Sequence, residues 1–165
     1  MENLLNTSVK PDWEALMANL RREGTPQRVH HLELFHDGEV RQAILDRFRL
    51  GEDLDRGDPH FAWKQLIAFQ RFMGYDYVTV GVDNFTGFPR PLLQSQDTVA
   101  DQKLRRQVRN WTDEQQGPIG SWEDFETYPW PDVSKCATDS IEWFEKNVPE
   151  DMCLTAGSHQ IFEQV

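Results

Sequence analysis

The sequence predicts an α/β fold built from parallel βα units. Two observations carry that prediction: one apolar run that neither face can leave in water, and helical periodicity on both sides of it. The run is Tyr75–Phe85, reading YDYVTVGVDNF. Val78, Val80 and Val82 share one face, Tyr77, Thr79 and Gly81 the other, and neither set includes a charge. A strand covered on both sides by helices reads this way, whereas a half-solvated antiparallel strand alternates polar and apolar residues. Asp83 is the first charge after it. In folds of this class functional groups gather where strands end, which makes Asp83 the leading candidate for a catalytic residue. An acid capping a turn with Asn84 is the plainer alternative.

Taken in order, residues 1–10 are polar and expected to form a flexible N-terminus, followed by a single domain over 11–165. Pro11 and Asp12 open a helix with Trp13, Leu16, Met17 and Leu20 at i, i+3, i+4, i+7, and Gly24 ends it. Val29–His36 (VHHLELFH) alternates Leu32 and Leu34 against His31, Glu33 and Phe35, the pattern of a first strand with one polar-tolerant face. That face is assigned to a site, with Glu33 and His36 as further catalytic candidates. An unpaired carboxylate within a strand is costly, so Glu33 either faces a polar mouth or pairs with a base. His36 has the alternative of a surface turn residue beside Asp37 and Gly38. His30 and His31 are adjacent and point to opposite faces, so they do not ligate one metal together.

Asp37 is the expected N-cap of a helix to about Phe48 with the stripe Val40, Ala43, Ile44 and Phe48. A charged loop follows over 50–58. Asp58 and Pro59 then start a helix to Met73, because a carboxylate can cap free N–H groups while proline fills a first-turn position that needs no donor. Gly74 is the expected left-handed cap before the central strand.

After Asp83 the turn-rich NFTGFPRPLLQSQ leads into TVADQKLRRQVRNW, which fits either a helix through Leu104, Val108 and Trp111 or a hairpin. Pro129 and Pro131 force an extended entry into a helix spanning about Ser134–Asn147, with Ala137, Ile141, Phe144 and Val148 inward. Met152–Ala156 reads as a third short strand, closed by Gly157. Ser158 and His159 lie just beyond it, where they and the backbone N–H groups of a following helix either bind an anionic substrate group or simply cap that helix. The chain ends in mid-element and is expected to be cut short. Its strand and helix rhythm suits a (β/α)8 barrel of which this chain holds the N-terminal part, about three parallel strands with a hairpin or loop excursion.

A chain of 165 residues with 38% hydrophobic residues, six Trp and ten Phe can bury a real core. Its net charge of -11 opposes nucleic acid and anionic membranes as partners. The aromatic set Trp111, Trp122, Phe125, Tyr128 and Trp130 is interleaved with acids, which argues against nucleic-acid stacking and for packing of the excursion. The basic cluster KLRRQVR (103–109) has Asp101, Asp113 and Glu114 around it, and local ion pairing is expected there. Cys136 and Cys153 form neither a CxxC motif nor a disulfide framework, which fits a reducing cytoplasm. No apolar run approaches the roughly 18 residues of a membrane span, and the first ten residues lack a signal-peptide core.

Three stretches carry a family resemblance: RVHHLELFHDGEVRQAIL (28–45), FQRFMGYDYVTVGVD (69–83) and, most specifically, GPIGSWEDFETYPWPD (117–132). They resemble the N-terminal half of uroporphyrinogen decarboxylase family proteins, of the broad branch that includes corrinoid-dependent methyltransferases. The resemblance covers nearly all of residues 10–165 and implies a barrel with its site at the C-terminal strand ends. By position it places Asp83 where the decarboxylases keep an aspartate that binds pyrrole N–H groups. Their arginine-rich motif after the first strand has no counterpart in HDGEVRQA, where Arg41 stands alone. A substrate bearing many carboxylates needs clustered guanidinium groups, so the departure favours the methyltransferase branch, which moves a methyl group from a corrinoid to a thiol.

In that branch zinc activates the thiol through His and Cys ligands that would lie beyond Val165. No metal ligand and no cofactor is therefore expected in this segment, while zinc and a corrinoid partner belong to the whole protein. The expected partner is a small-molecule or corrinoid-protein substrate. Decarboxylation of uroporphyrinogen or a related acid is the alternative chemistry, and a non-catalytic acidic interaction module the alternative of another kind. A barrel cut after its third strand exposes parallel edges, from which poor solubility or a homodimer is expected.

Overall fold

The computed structural model describes residues 9–33, 36–96, 108–113 and 117–156. Over these residues the chain is mixed α/β, with five α-helices, a two-stranded parallel sheet and a separate two-stranded antiparallel pair. No closed barrel occurs among the described residues. The chain divides into two compact units, Met1–Gly81 with Asp139–Gly157, and Val82–Thr138 with Ser158–Val165.

The first unit is organised around β1 (Tyr77–Val80), which pairs in parallel with β4 (Cys153–Ala156), Tyr77 opposite Cys153 and Val80 opposite Ala156. The period-2 pattern of the sequence is realised on both faces. On one, Val78 and Val80 pack with Leu154 against Trp63, Leu66 and Ile67 of α3 (Phe61–Phe72) and Ile141 and Phe144 of α5 (Asp139–Asn147). On the other, Tyr77 and Cys153 meet Leu16 of α1 (Trp13–Leu20), with Tyr75 and Met73. Helices thus cover both sides, the physical reason Tyr77–Val80 carries no charge. Thr79 and Thr155 join across the strands, Oγ1 to Oγ1, at 3.1 Å.

The helices start and stop for local reasons. Asp12 caps α1 by accepting from Ala15 N at 3.0 Å. The helix α2 (Gly38–Phe48) buries Leu45, while Val40 is 49% exposed, so its inward stripe is rotated from the expected one. The Asp58 carboxylate accepts from His60 N and Lys64 Nζ, but a turn intervenes, and α3 begins only at Phe61. At its end Gly74 takes φ +78, Gly74 N bonds Arg71 O, and Tyr75 N bonds Gln70 O. That reversal feeds the chain directly into β1. The guanidinium of Arg71 grips Asp151 with two bonds, at 2.8 and 2.6 Å, tying the end of α3 to the turn before β4.

The expected first strand does not form among its described residues, 29–33 and 36, whereas Leu34 and Phe35 lie outside them. Two side chains take the backbone partners a neighbouring strand would use. Gln70 Oε1 accepts from Thr79 N at 3.1 Å. The Tyr77 hydroxyl accepts from Glu33 N at 2.9 Å and donates to Glu33 O at 3.1 Å. Leu32 is accordingly 62% exposed rather than packed in a sheet.

In the second unit β2 (Leu92–Ser95) and β3 (Arg109–Thr112) form an antiparallel pair, so the described part of 92–112 is a hairpin arm rather than a helix. Before the extended stretch at Pro129 and Pro131 stands α4 (Trp122–Thr127), a helix not expected from the sequence, capped by Ser121, whose side chain accepts from Asp124 N. Asp132 caps a 3-10 turn at Val133–Lys135, and the helix expected from Ser134 begins only at Asp139. The reason is a backbone bridge: Asp83 N bonds Ala137 O at 2.9 Å and Ala137 N bonds Asp83 O at 3.1 Å. A residue whose N–H and C=O serve a neighbouring segment cannot also serve a helix. Cys136 therefore lies outside α5.

Candidate functional site

The densest polar constellation in the first unit surrounds Asp76, directly before β1. Asp76 is fully buried, at 0% exposure. Its Oδ1 accepts from Asp12 N at 2.7 Å and from Arg28 Nη2, and its Oδ2 is 2.7 Å from His30 Nδ1. A buried carboxylate is costly unless its lone pairs are satisfied and its charge paired. Both conditions are met, and the result is a lock: one carboxylate holds the start of α1 and the segment 28–30 against the entrance of the central strand. The thiol of Cys153 is pushed upward by burial and, secondarily, by the Asp76 charge.

Donation to Asp76 places a proton on Nδ1 of His30 and turns Nε2 away from the carboxylate. That atom is buried and has no hydrogen-bond partner among the described residues. A histidine oriented by a carboxylate has the form of a general base, but an enclosed Nε2 reaches no substrate. Its place at the strand's entrance is where parallel α/β folds concentrate stability rather than chemistry. Arg28 keeps 29% exposure on its outer side, beside a cleft of about 450 Å³ lined by Lys10, Asp12, Trp13, Glu150 and Asp151.

Glu33 and His36 are brought to one place by a pair of stacked tyrosines. The rings of Tyr75 and Tyr77 lie 5.5 Å apart at 8°. Tyr77 holds the Glu33 backbone, and the Tyr75 hydroxyl is 2.8 Å from His36 Nε2. The edge of His36 meets Phe69 at 5.3 Å. Burial raises the Tyr75 hydroxyl above its ordinary value, with Tyr77 and Glu33 adding to it. Glu33 itself is exposed. These contacts form a hydrogen-bonding patch able to position a polar group.

Asp83 belongs to the second unit, half-buried and bridged through its backbone to Ala137, with Asn84 following at φ +59. Ser158 and His159 lie outside the described residues. Among the described residues no three His, Cys, Asp or Glu side chains are grouped to hold a metal ion, so no residue here is assigned to zinc. No described helix is long and apolar enough to cross a membrane.

Sequence reasoning passed over Asp76 and Arg28 and weighed His30 only as a metal ligand. The available signal was an acid standing immediately before a strand with no charge on either face. Such an acid must be paired, but its partners stand far back in the sequence, in a stretch read as loop and strand. No family model, no curated protein and no solved structure matches this chain.

Proposed function

We propose that this chain is part of a barrel enzyme related to the uroporphyrinogen decarboxylase family, and that its chemistry is transfer of a methyl group from a corrinoid to a thiol. The supporting observation is the parallel register of Tyr77–Val80 with Cys153–Ala156. Parallel strands require a crossover, and two βα units running the same way deliver both strand ends to one edge. In the proposed barrel these are the second and third strands, and Asp83 is the first acid after Val80 in the sequence. The reading gives Asp83 the task of binding and orienting the reacting group. The thiolate sulfur displaces the corrinoid at the methyl carbon, forming a C–S bond as the bond to cobalt breaks.

Arg28 is committed to Asp76, and HDGEVRQA contains no arginine besides Arg41, which weighs against a porphyrinogen with many carboxylates. Because the zinc ligands of this reading would lie beyond Val165 and residues 1–165 are expected to be inactive alone, the test is to mix a zinc-loaded protein that includes them with methylcobalamin and a small thiol and follow the cobalamin spectrum, with porphyrinogen decarboxylation assayed in parallel. Thiol-dependent demethylation that falls about a hundredfold in Asp83→Asn is expected. Porphyrinogen turnover instead would replace methyl transfer with decarboxylation. Inactivity in both assays would point to a non-catalytic interaction module.

A further inference from the structure

The helix α4 has no buried residue. A six-residue helix is far too short to persist in water through its own hydrogen bonds, and this one displays two large rings, Trp122 and Phe125, on one side. It is nevertheless held firmly. Ser121 and Asp124 cap each other, with Asp124 N donating to Ser121 Oγ at 3.1 Å, and Ser121 Oγ and Gly120 N donating to Asp124 Oδ2 at 2.8 and 3.1 Å. The Trp130 indole N–H donates to Phe125 O at 3.1 Å. Tyr128 anchors the assembly by donating its hydroxyl proton to Pro89 O at 2.6 Å.

From that anchor a row of edge-to-face rings leads outward. Tyr128 meets Trp130 at 4.7 Å, Trp130 meets Phe125 at 5.0 Å, and Phe125 meets Trp122 at 5.9 Å. Exposure climbs along it, from 8% at Tyr128 through 45% and 44% to 82% at Trp122. Rigid, exposed aromatic rings on a braced scaffold are what binding hot spots are made of, because little side-chain entropy remains to be lost on contact.

Charge selects the occupant. Glu123 and Glu126 stand one residue beyond each ring, exposed and with no ion pair among the described residues. Aromatic faces and carboxylates both attract cations. In a symmetric contact between two copies the same acids would face each other, and the net charge of -11 repels polyanions. We propose that Trp122, Phe125 and Trp130 form a docking surface for a basic partner segment, one that presents Lys or Arg side chains to the rings and acids and apolar side chains to the gaps between them.

The experiment titrates a fluorescently labelled peptide of Lys, Arg and Leu into the protein and follows anisotropy, with a counterpart carrying Glu for Lys and Arg as control. The basic peptide is expected to bind, more weakly as salt rises. Binding should weaken about tenfold or more in Trp122→Ala and in Glu123→Lys/Glu126→Lys. These side chains are exposed, so circular dichroism of the variants should match the parent. Undetectable binding, equal binding of the acidic peptide, or affinity unchanged in Trp122→Ala would each overturn the proposal. So would self-association that Trp122→Ala abolishes, since a second copy would then be the occupant.

Discussion

Replacing Asp76 by alanine tests the lock at the entrance of β1 most directly. The carboxylate is wholly buried and accepts from Asp12 N, Arg28 and His30. Its removal leaves a buried imidazole N–H and a backbone N–H without an acceptor. Breaking a buried charge pair by deleting one partner costs about 3–5 kcal/mol, and the low end applies here because Arg28 is partly exposed and can turn to water. An expected loss of about 3 kcal/mol corresponds to roughly 6–12 °C in Tm for a chain of this size. Asp76→Asn is expected to lose less, about 2 kcal/mol, through His30. Its amide would present an N–H to Nδ1 in place of a carboxylate oxygen, and Nε2 has no hydrogen-bond partner among the described residues to compensate. Urea unfolding followed by circular dichroism reads both variants, with an unchanged m-value and a lowered midpoint expected. An Asp76→Ala midpoint corresponding to less than about 0.5 kcal/mol of lost stability would refute the lock.

Three other outcomes follow from the same geometry. Gly74→Ala forces a Cβ to within 3.1 Å of Val9 at φ +78 and should lower stability by about 1–2 kcal/mol in thermal unfolding. Phe144→Ala empties the centre of the cluster around Val78 and Val80, where Phe144 is 1% exposed; a loss of about 3–5 kcal/mol in urea unfolding is expected. The hydrogen bonds from Arg71 hold the Asp151 carboxyl below its ordinary value of 3.8. The folded value thus lies under the unfolded one, so the pair's contribution is complete above 3.8 and fades as pH falls below it. With side chains 42% and 25% exposed that contribution is under about 1 kcal/mol. Stability measured across the acid range should fall less steeply in Arg71→Ala than in the parent.

What the sequence determined by itself is local. The uncharged faces of Tyr77–Val80 demanded cover on both sides, and the helices on either side of the strand supply it. Gly74 marked a left-handed reversal because only glycine takes that conformation without strain. Asp12 marked a helix start because its side chain can reach a free N–H three residues on. Each of these is fixed by residues within a turn or two of one another.

Tertiary structure decided what depends on distant partners. Val29–Glu33 alternates like a strand, yet the Glu33 backbone is bonded by the Tyr77 hydroxyl, and the Thr79 N–H of β1 is taken by the Gln70 side chain. Ala137 suits a helix, but its backbone is taken by Asp83. The sequence neighbours of Asp76 do not name its partners, and folding brought Arg28 and His30 to it across 48 and 46 residues. Periodicity records which side of an element is apolar, while the pairing of buried polar groups is a property of the folded whole.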